Sequence, residues 1–280
     1  MSTPRIIERK ELILNESQTR LVISGWGKDA FDNSVVERIT YLSDNLKVKG
    51  FISYPKDTSK KYPCLIWNRG GMGNRGAIDT FTARGIYGQM ASWGYVVFAT
   101  QYRGNAGGEG REELGGKDVN DILNLVPLAE EFNCADNTKW GIEGWSRGGM
   151  MTYLALTKNQ NFKCAILVGA MTDLKNYFND SPRVFEKFKE LANENKLKEI
   201  IYERSAINIS EKLPRIPYLI IHGGGDRTVS PLQSIEMAKK LQSQNFDYRL
   251  VILENGDHFL RNHRKEVNSL RKNWFSKYLV

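Results

Sequence analysis

Trp140-Gly-Ile-Glu-Gly-Trp-Ser-Arg-Gly-Gly-Met-Met-Thr152 is the stretch whose reading decides the fold of this chain. Trp140 to Trp145 reads as a strand and Gly148 to Thr157 as a helix, so Gly144-Trp-Ser-Arg-Gly148 fits G-x-S-x-G at a strand-to-helix turn. Such a turn forces its serine into a strained backbone conformation. Residues two positions to either side must lack bulk so that strand and helix can approach, and both are glycine here. The pentapeptide arises by chance in about one chain of this length in eight. A glycine-rich turn with a solvated serine would carry the same letters, so the partners of Ser146 have to be sought elsewhere.

Outward from this turn, short apolar strands alternate with helical segments, the pattern of βαβ units and a mainly parallel sheet. The strands are Pro63 to Trp67, Tyr95 to Thr100, Trp140 to Trp145, Lys163 to Val168, Pro217 to His222 and Asp247 to Leu253. Between them lie helices near Ile78 to Ser92, Asp118 to Phe132, Gly148 to Thr157, Pro231 to Gln244 and His263 to Tyr278. In the last, Val267, Leu270, Trp274 and Tyr278 form an apolar stripe, with Arg264, Lys265, Arg271, Lys272 and Lys277 largely off it. Before residue 56 the pattern is β: Arg20 to Ser24, Val36 to Ser43 and Lys47 to Tyr54, the last two flanking Asp44-Asn45, a pair that tolerates a tight hairpin turn. The charged, helix-prone stretch 172–212, with helical segments Val184 to Ala192 and Leu197 to Ile201, is long enough for a small helical cap over the strand ends. The expected organisation is an N-terminal strand extension over 1–35 and an α/β domain over 36–280 with 172–212 as the cap.

Composition narrows the classes. With 280 residues, 41% hydrophobic and 26% charged, the chain is an ordinary globular protein and is neither collagen-like nor disordered. No run reaches the roughly 18 apolar residues that would span a bilayer, and Met1 to Ser17 is charged without an apolar signal core. A net charge of +8 favours anionic partners without identifying one. The three cysteines, Cys64, Cys134 and Cys164, cannot all pair, and two sit in apolar runs, which reads as buried thiols in a reducing compartment. Three histidines without a CxxC or HxxxH pair leave no zinc pattern.

A serine hydroxyl becomes a nucleophile only when a histidine removes its proton and a carboxylate orients that histidine. His258 follows the strand Asp247 to Leu253 in the turn Asn255-Gly-Asp-His258, which can present an imidazole at the strand end. His222 ends the preceding strand and reads as structural or supporting, and His263, in a basic helix, as solvated. Asp226, in Gly223-Gly-Gly-Asp226, lies on the loop after a buried strand. It gives the chain order Ser146, Asp226, His258, that of α/β-hydrolases. Asp257 adjoins His258 and competes for the role, but neighbours in a turn rarely hold an imidazole edge-on. Oxyanion donors are expected at the Arg147 amide and, in the loop Asn68-Arg-Gly-Gly-Met-Gly73, at Gly71.

The chain at this point resembles the catalytic domain of the prolyl oligopeptidase family of serine peptidases, near the acylaminoacyl-peptidase and dipeptidyl-peptidase branches. The resemblance rests on Ile39-Thr-Tyr-Leu-Ser-Asp-Asn45, Gln101-Tyr-Arg-Gly-Asn-Ala-Gly-Gly-Glu-Gly110, the turn at Ser146, Glu203-Arg-Ser-Ala-Ile207 and the HGxxD-like His222 to Asp226. It implies an α/β-hydrolase fold with Ser146, Asp226 and His258 as the triad. Arg69 stands where the family usually has His or Tyr. It either faces the site and binds an anionic substrate group, or turns away to pair with a carboxylate of the protein. The family's β-propeller cannot fit into the 35 residues before Val36, at about 40 residues per blade.

The resulting expectation is a cytoplasmic serine hydrolase that cleaves small substrates or short peptides through an acyl-enzyme, with no metal or organic cofactor. Nucleic acid and membrane are not expected partners, and the oligomeric state is open. Gly70, Trp145 and the cap aromatics Tyr177, Phe178 and Phe185 are, with Arg69, the candidate substrate contacts. A carboxylesterase, or a ligand-binding protein that keeps the fold without using the triad, are the alternatives.

Overall fold

The hairpin expected at Asp44-Asn45 organises the first part of the computed structural model, which describes residues 5–159, 161–190 and 194–279. Both turn residues take positive φ, 50° and 68°, and the strands pair in register from Ser43↔Leu46 to Ser34↔Pro55. Leu191 and Ala192 of the expected helical segment and Met1–Pro4 of the N-terminal stretch lie outside the described residues. The chain divides into two compact units, Met1–Glu112 with Lys117–Gly141 and Leu279–Val280, and Glu113–Gly116 with Ile142–Tyr278.

The first unit contains β1 (Ile6–Glu11), α1 (Glu16–Trp26), α2 (Lys28–Asp32), β2 (Ser34–Ser43), β3 (Leu46–Pro55), β4 (Tyr62–Asn68), α3 (Thr80–Ser92), β5 (Val96–Thr100) and α4 (Val119–Leu123). Strands β1, β2, β3 and β5 pair antiparallel in that order, and β4 lies parallel to β5. Cys64, Leu65 and Ile66 of β4 and every residue of β5 are buried, the continuous apolar run of an interior strand. Helix α3 packs on β2, β3 and β5. The Asp44 carboxylate accepts from Arg103 Nη2 and Asn120 Nδ2, both at 2.8 Å, while Arg103 also forks onto the fully buried Asp121. The turn is thereby tied to the Gln101–Gly110 loop.

Two expectations here are corrected. Arg20 to Ser24 is helical, within α1, because Asn15 and Gln18 form a capping box and only Val22 of the helix is buried. Trp26 closes it edge-on against Phe81 of α3, with ring centroids 5.5 Å apart. The helix expected over Asp118 to Phe132 breaks after α4 into a 3-10 turn at Pro127–Glu131, since proline has no amide proton for a helix interior.

Strand β6 (Ala135–Trp145) runs out of the first unit into the second. The second unit continues with α5 (Arg147–Lys158), β7 (Phe162–Val168), the cap helices α6 (Leu174–Asp180), α7 (Pro182–Lys189), α8 (Glu194–Arg204) and α9 (Ala206–Ile209), then β8 (Tyr218–Gly223), α10 (Leu232–Ser243), β9 (Tyr248–Leu253) and α11 (Arg264–Tyr278). β7, β8 and β9 are parallel in sequence order. The functional loops therefore follow the carboxyl ends of these strands, where ligands of open α/β sheets bind. The cap is pinned by Gln233 of α10, whose Oε1 accepts from the amides of Thr172 and Asp173 at 2.8 and 2.7 Å.

Arg271 departs from its expected place off the stripe of α11. It is buried with Val267, Trp274 and Phe275, because Glu143 of β6 is fully buried and needs a cation. Arg271 Nε and Nη2 fork onto Glu143 Oε1 and Oε2 at 2.7 and 3.0 Å.

All three cysteines are free and buried, and burial pushes each thiol above its ordinary range. A thiol-reactive dye is expected to find none in the native chain and all three after denaturation. Fast labelling of native protein would contradict this packing.

Candidate active site

The backbone of Ser146 sits at φ 55° and ψ −123°, a conformation that a non-glycine residue adopts only when its surroundings impose it. Its amide donates to the Val168 carbonyl at 2.8 Å, tying the turn to the end of β7. A Cβ at Gly144 would lie 2.1 Å from the Gly148 carbonyl oxygen, and one at Gly149 would lie 2.3 Å from the Ala170 Cβ. The first confirms the steric need read from the sequence; the second adds a glycine outside the pentapeptide that the close approach also requires.

His258 Nε2 lies 3.0 Å from Ser146 Oγ, and its Nδ1 lies 2.6 Å from Asp226 Oδ2. With a carboxylate on Nδ1, the ring carries its proton there and presents Nε2 as the acceptor of the serine hydroxyl proton. Asp226 is buried, and its other oxygen accepts the amides of Thr228 at 2.8 Å and Val229 at 3.0 Å. Burial alone would push this carboxyl up. The donors His222, His258 and the Val229 amide outweigh it and hold Asp226 well below the usual carboxylate range. The loops carrying the acid and the base are joined by backbone bonds from Gly224 to the Leu253 carbonyl and from Gly225 to the Gly256 carbonyl. A Cβ at Gly223 would sit 2.3 Å from the Gly256 oxygen, which explains the first of the three glycines after His222.

Asp257 does not touch the imidazole. Its Oδ1 accepts the Arg261 amide at 3.1 Å, closing the next turn. His263, read as solvated, instead lies 2.8 Å from the Glu254 carbonyl through Nε2 and is mostly buried.

Arg147 opens α5 directly after the serine, so its amide stands at the positive end of the helix. Gly71 belongs to the first unit. At φ 67°, with a hypothetical Cβ 2.7 Å from the Gly76 Cα, it tolerates no side chain. Trp145 is half-buried, and its indole N–H donates to Glu143 Oε1, with the Arg271 guanidinium carbon 5.7 Å from the ring centroid. In the cap, Phe178 packs against Phe185 and Phe188 at 5.3 and 4.8 Å and against Tyr177 at 6.1 Å, so the three expected aromatics form one cluster with a fourth.

Arg69 takes the second of its two courses. It is fully buried, donates to the Gln101 carbonyl through Nε and Nη2 at 3.2 and 2.6 Å and to the Gly70 carbonyl at 3.1 Å, and stands 3.6 Å from Glu112 Oε1. Tyr102 lies beneath the guanidinium at 4.9 Å. These partners hold its charge within the loop. Arg69→Ala is accordingly expected to lower stability by about 2 to 3 kcal/mol and to reduce kcat/KM for anionic and neutral acyl groups alike. A loss confined to anionic substrates would show the side chain reaching the site after all.

With this geometry in place, the comparisons with known proteins decide the family. The sequence profile described as the prolyl oligopeptidase family (Peptidase_S9) matches residues 85–280. This chain belongs to that family. The uncharacterized peptidase YtmA of Bacillus subtilis is 30% identical over 207 residues, 73% of this chain and 78% of YtmA. The prolyl endopeptidase FAP of Mus musculus is 27% identical over 217 residues, 75% of this chain but 28% of FAP. The solved acylaminoacyl peptidase of Pyrococcus horikoshii superposes with a TM-score of 0.74 at 21% identity, covering 95% of this chain and 44% of the other. This likeness establishes the α/β-hydrolase fold. The chain thus spans most of one relative and less than half of the other two.

Sequence reasoning missed two groups near the triad. One is the Glu143–Arg271 pair behind Trp145, signalled by a lone acid in the apolar run Trp140–Trp145 at the end of β6. The other is Ser234, hydrogen-bonded to His222 from the first turn of α10.

Proposed function

We propose that this chain is a serine peptidase that cleaves short peptides through an acyl-enzyme on Ser146, with His258 as general base and acid and Asp226 as the orienting carboxylate. The observation that carries the reading is the unbroken run Ser146 Oγ–His258 Nε2 and His258 Nδ1–Asp226 Oδ2, at 3.0 and 2.6 Å, on a serine held at positive φ. Ser146 Oγ attacks the scissile carbonyl carbon while its proton passes to His258 Nε2, and the Arg147 amide donates to the developing oxyanion. When the C–N bond breaks, Nε2 returns that proton to the departing amine. Water then attacks the ester, its proton goes to Nε2, and the acid and free serine are regenerated.

Membership of a peptidase family places peptides ahead of esters as substrates, although the same triad would serve an ester. No helix among the described residues is long and apolar enough to cross a membrane, and the three buried free thiols support a cytoplasmic setting. A panel of aminoacyl and dipeptidyl p-nitroanilides beside p-nitrophenyl esters of graded chain length tests the assignment. The peptidase reading expects turnover of at least one anilide class. Turnover of esters alone would move the chain to the carboxylesterases.

A further inference from the structure

His222, in the last turn-bearing end of β8, is fully buried and engaged at both ring nitrogens. Nδ1 lies 2.6 Å from Ser234 Oγ of α10, and Nε2 lies 2.9 Å from the Val229 carbonyl oxygen. Asp226 Oδ2, the oxygen that holds His258, stands on the flank of the same Nε2 at 3.3 Å. Nε2 thus faces a carbonyl and a carboxylate, neither of which has a proton to give. A ring with a single N–H must therefore carry it on Nε2 and its lone pair on Nδ1. That tautomer obliges Ser234 to donate its hydroxyl proton to Nδ1. The opposite tautomer would set a lone pair against two acceptors in a dry site, at the cost of an unsatisfied buried group. Val229 closes the circuit, because its carbonyl accepts from His222 while its amide donates to Asp226 Oδ1.

We propose that Ser234 and His222 form a positioning relay for the triad. Ser234 donates to the Nδ1 lone pair of His222 and so holds the ring in its place. The Nε2–H so presented holds the Val229 carbonyl and faces Asp226 Oδ2, which keeps that oxygen aligned on His258 Nδ1. His222 is a positioning residue and touches no substrate. The relay rests on the serine-peptidase reading of Ser146, Asp226 and His258.

Among the described residues, the groups facing the carboxylate are few. His222 comes from β8 and His258 from the loop after β9, Gly169 after β7 offers no side chain, and Ser234 of α10 does not titrate in the working range. Asp257, next to His258, is turned to Arg261, and Arg227 beside Asp226 is exposed. Removing the N–H on the flank of Asp226 leaves its negative charge less compensated, which favours the protonated form of the neighbouring imidazole. The acid limb of activity should then move to higher pH. A role in packing alone would lower activity without moving that limb.

The test compares wild type with Ser234→Ala, Ser234→Thr, His222→Phe and the double variant Ser234→Ala/His222→Phe. The readouts are kcat and KM against pH on a dipeptidyl p-nitroanilide and the far-downfield proton NMR signal of the His258 Nδ1–H. His222→Phe should lose about 10- to 100-fold in kcat with little change in KM, the scale of a small misplacement of a catalytic group. Its acid limb should rise in pH and the downfield signal should shift. Ser234→Ala should move both readouts in the same direction by less, Ser234→Thr should restore them, and the double variant should match His222→Phe alone. An unmoved acid limb and an unmoved signal in folded Ser234→Ala would overturn the relay, as would additive losses in the double variant. If His222→Phe does not fold, the Ser234 pair decides alone. If the wild type neither hydrolyses the anilide nor reacts with a fluorophosphonate, the peptidase reading fails by itself, and the NMR response to Ser234→Ala still decides the relay.

Discussion

Ser146→Ala is expected to lower kcat/KM by about four orders of magnitude or more, with the fold and melting temperature retained. Removing the hydroxyl deletes the nucleophile and leaves the backbone turn in place, since the hydrogen bond from the Ser146 amide to the Val168 carbonyl does not involve the side chain. His258→Ala should cost a comparable factor and Asp226→Asn somewhat less. Combining any two should add little, because the three groups act as a unit. Steady-state kinetics with circular dichroism on each variant check this. Additive losses would mean that Ser146 and His258 belong to separate processes. Asp257→Asn should leave activity nearly intact, because Asp257 only closes the following turn.

The largest effect on stability is expected at the buried pair Glu143–Arg271. Arg271→Met strands a fully buried carboxylate, and Glu143→Gln strands a guanidinium that is almost as buried. Each single change should cost about 3 to 5 kcal/mol, and Glu143→Gln also weakens the bond from the Trp145 indole. The double variant Glu143→Leu/Arg271→Met should recover most of that loss, because two apolar side chains can replace a buried ion pair at little net cost. Urea denaturation of the four proteins gives the comparison. Single variants within about 0.5 kcal/mol of wild type, the ordinary range for surface changes, would contradict the burial of the pair.

The site was legible from sequence because its signals are local. The glycines around Ser146 are required by contacts within a few residues, and the order Ser146, Asp226, His258 places each group on a loop after a short apolar strand. What sequence reading lost depends on tertiary partners. Arg271 looks like one more lysine or arginine of a basic helix until Glu143 is seen behind it. The two courses open to Arg69 were separable only once Gln101 and Glu112 were placed around it. Leu21-Val-Ile23 reads as a strand from its branched side chains, yet Asn15 and Gln18 hold a capping signal whose weight exceeds that of a three-residue run. Pro127 stands four residues beyond Leu123, the last residue of α4, and a helix continued over Asp118 to Phe132 would lack the bond its missing amide proton would make.

A fluorophosphonate probe with mass spectrometric mapping of the adduct reports most directly whether Ser146 is an activated nucleophile. Native protein should give one adduct, on the tryptic peptide carrying Ser146, slowed strongly by His258→Ala and abolished by Ser146→Ala or by denaturation. Native protein that takes up no probe, or an adduct that persists in Ser146→Ala, would contradict it.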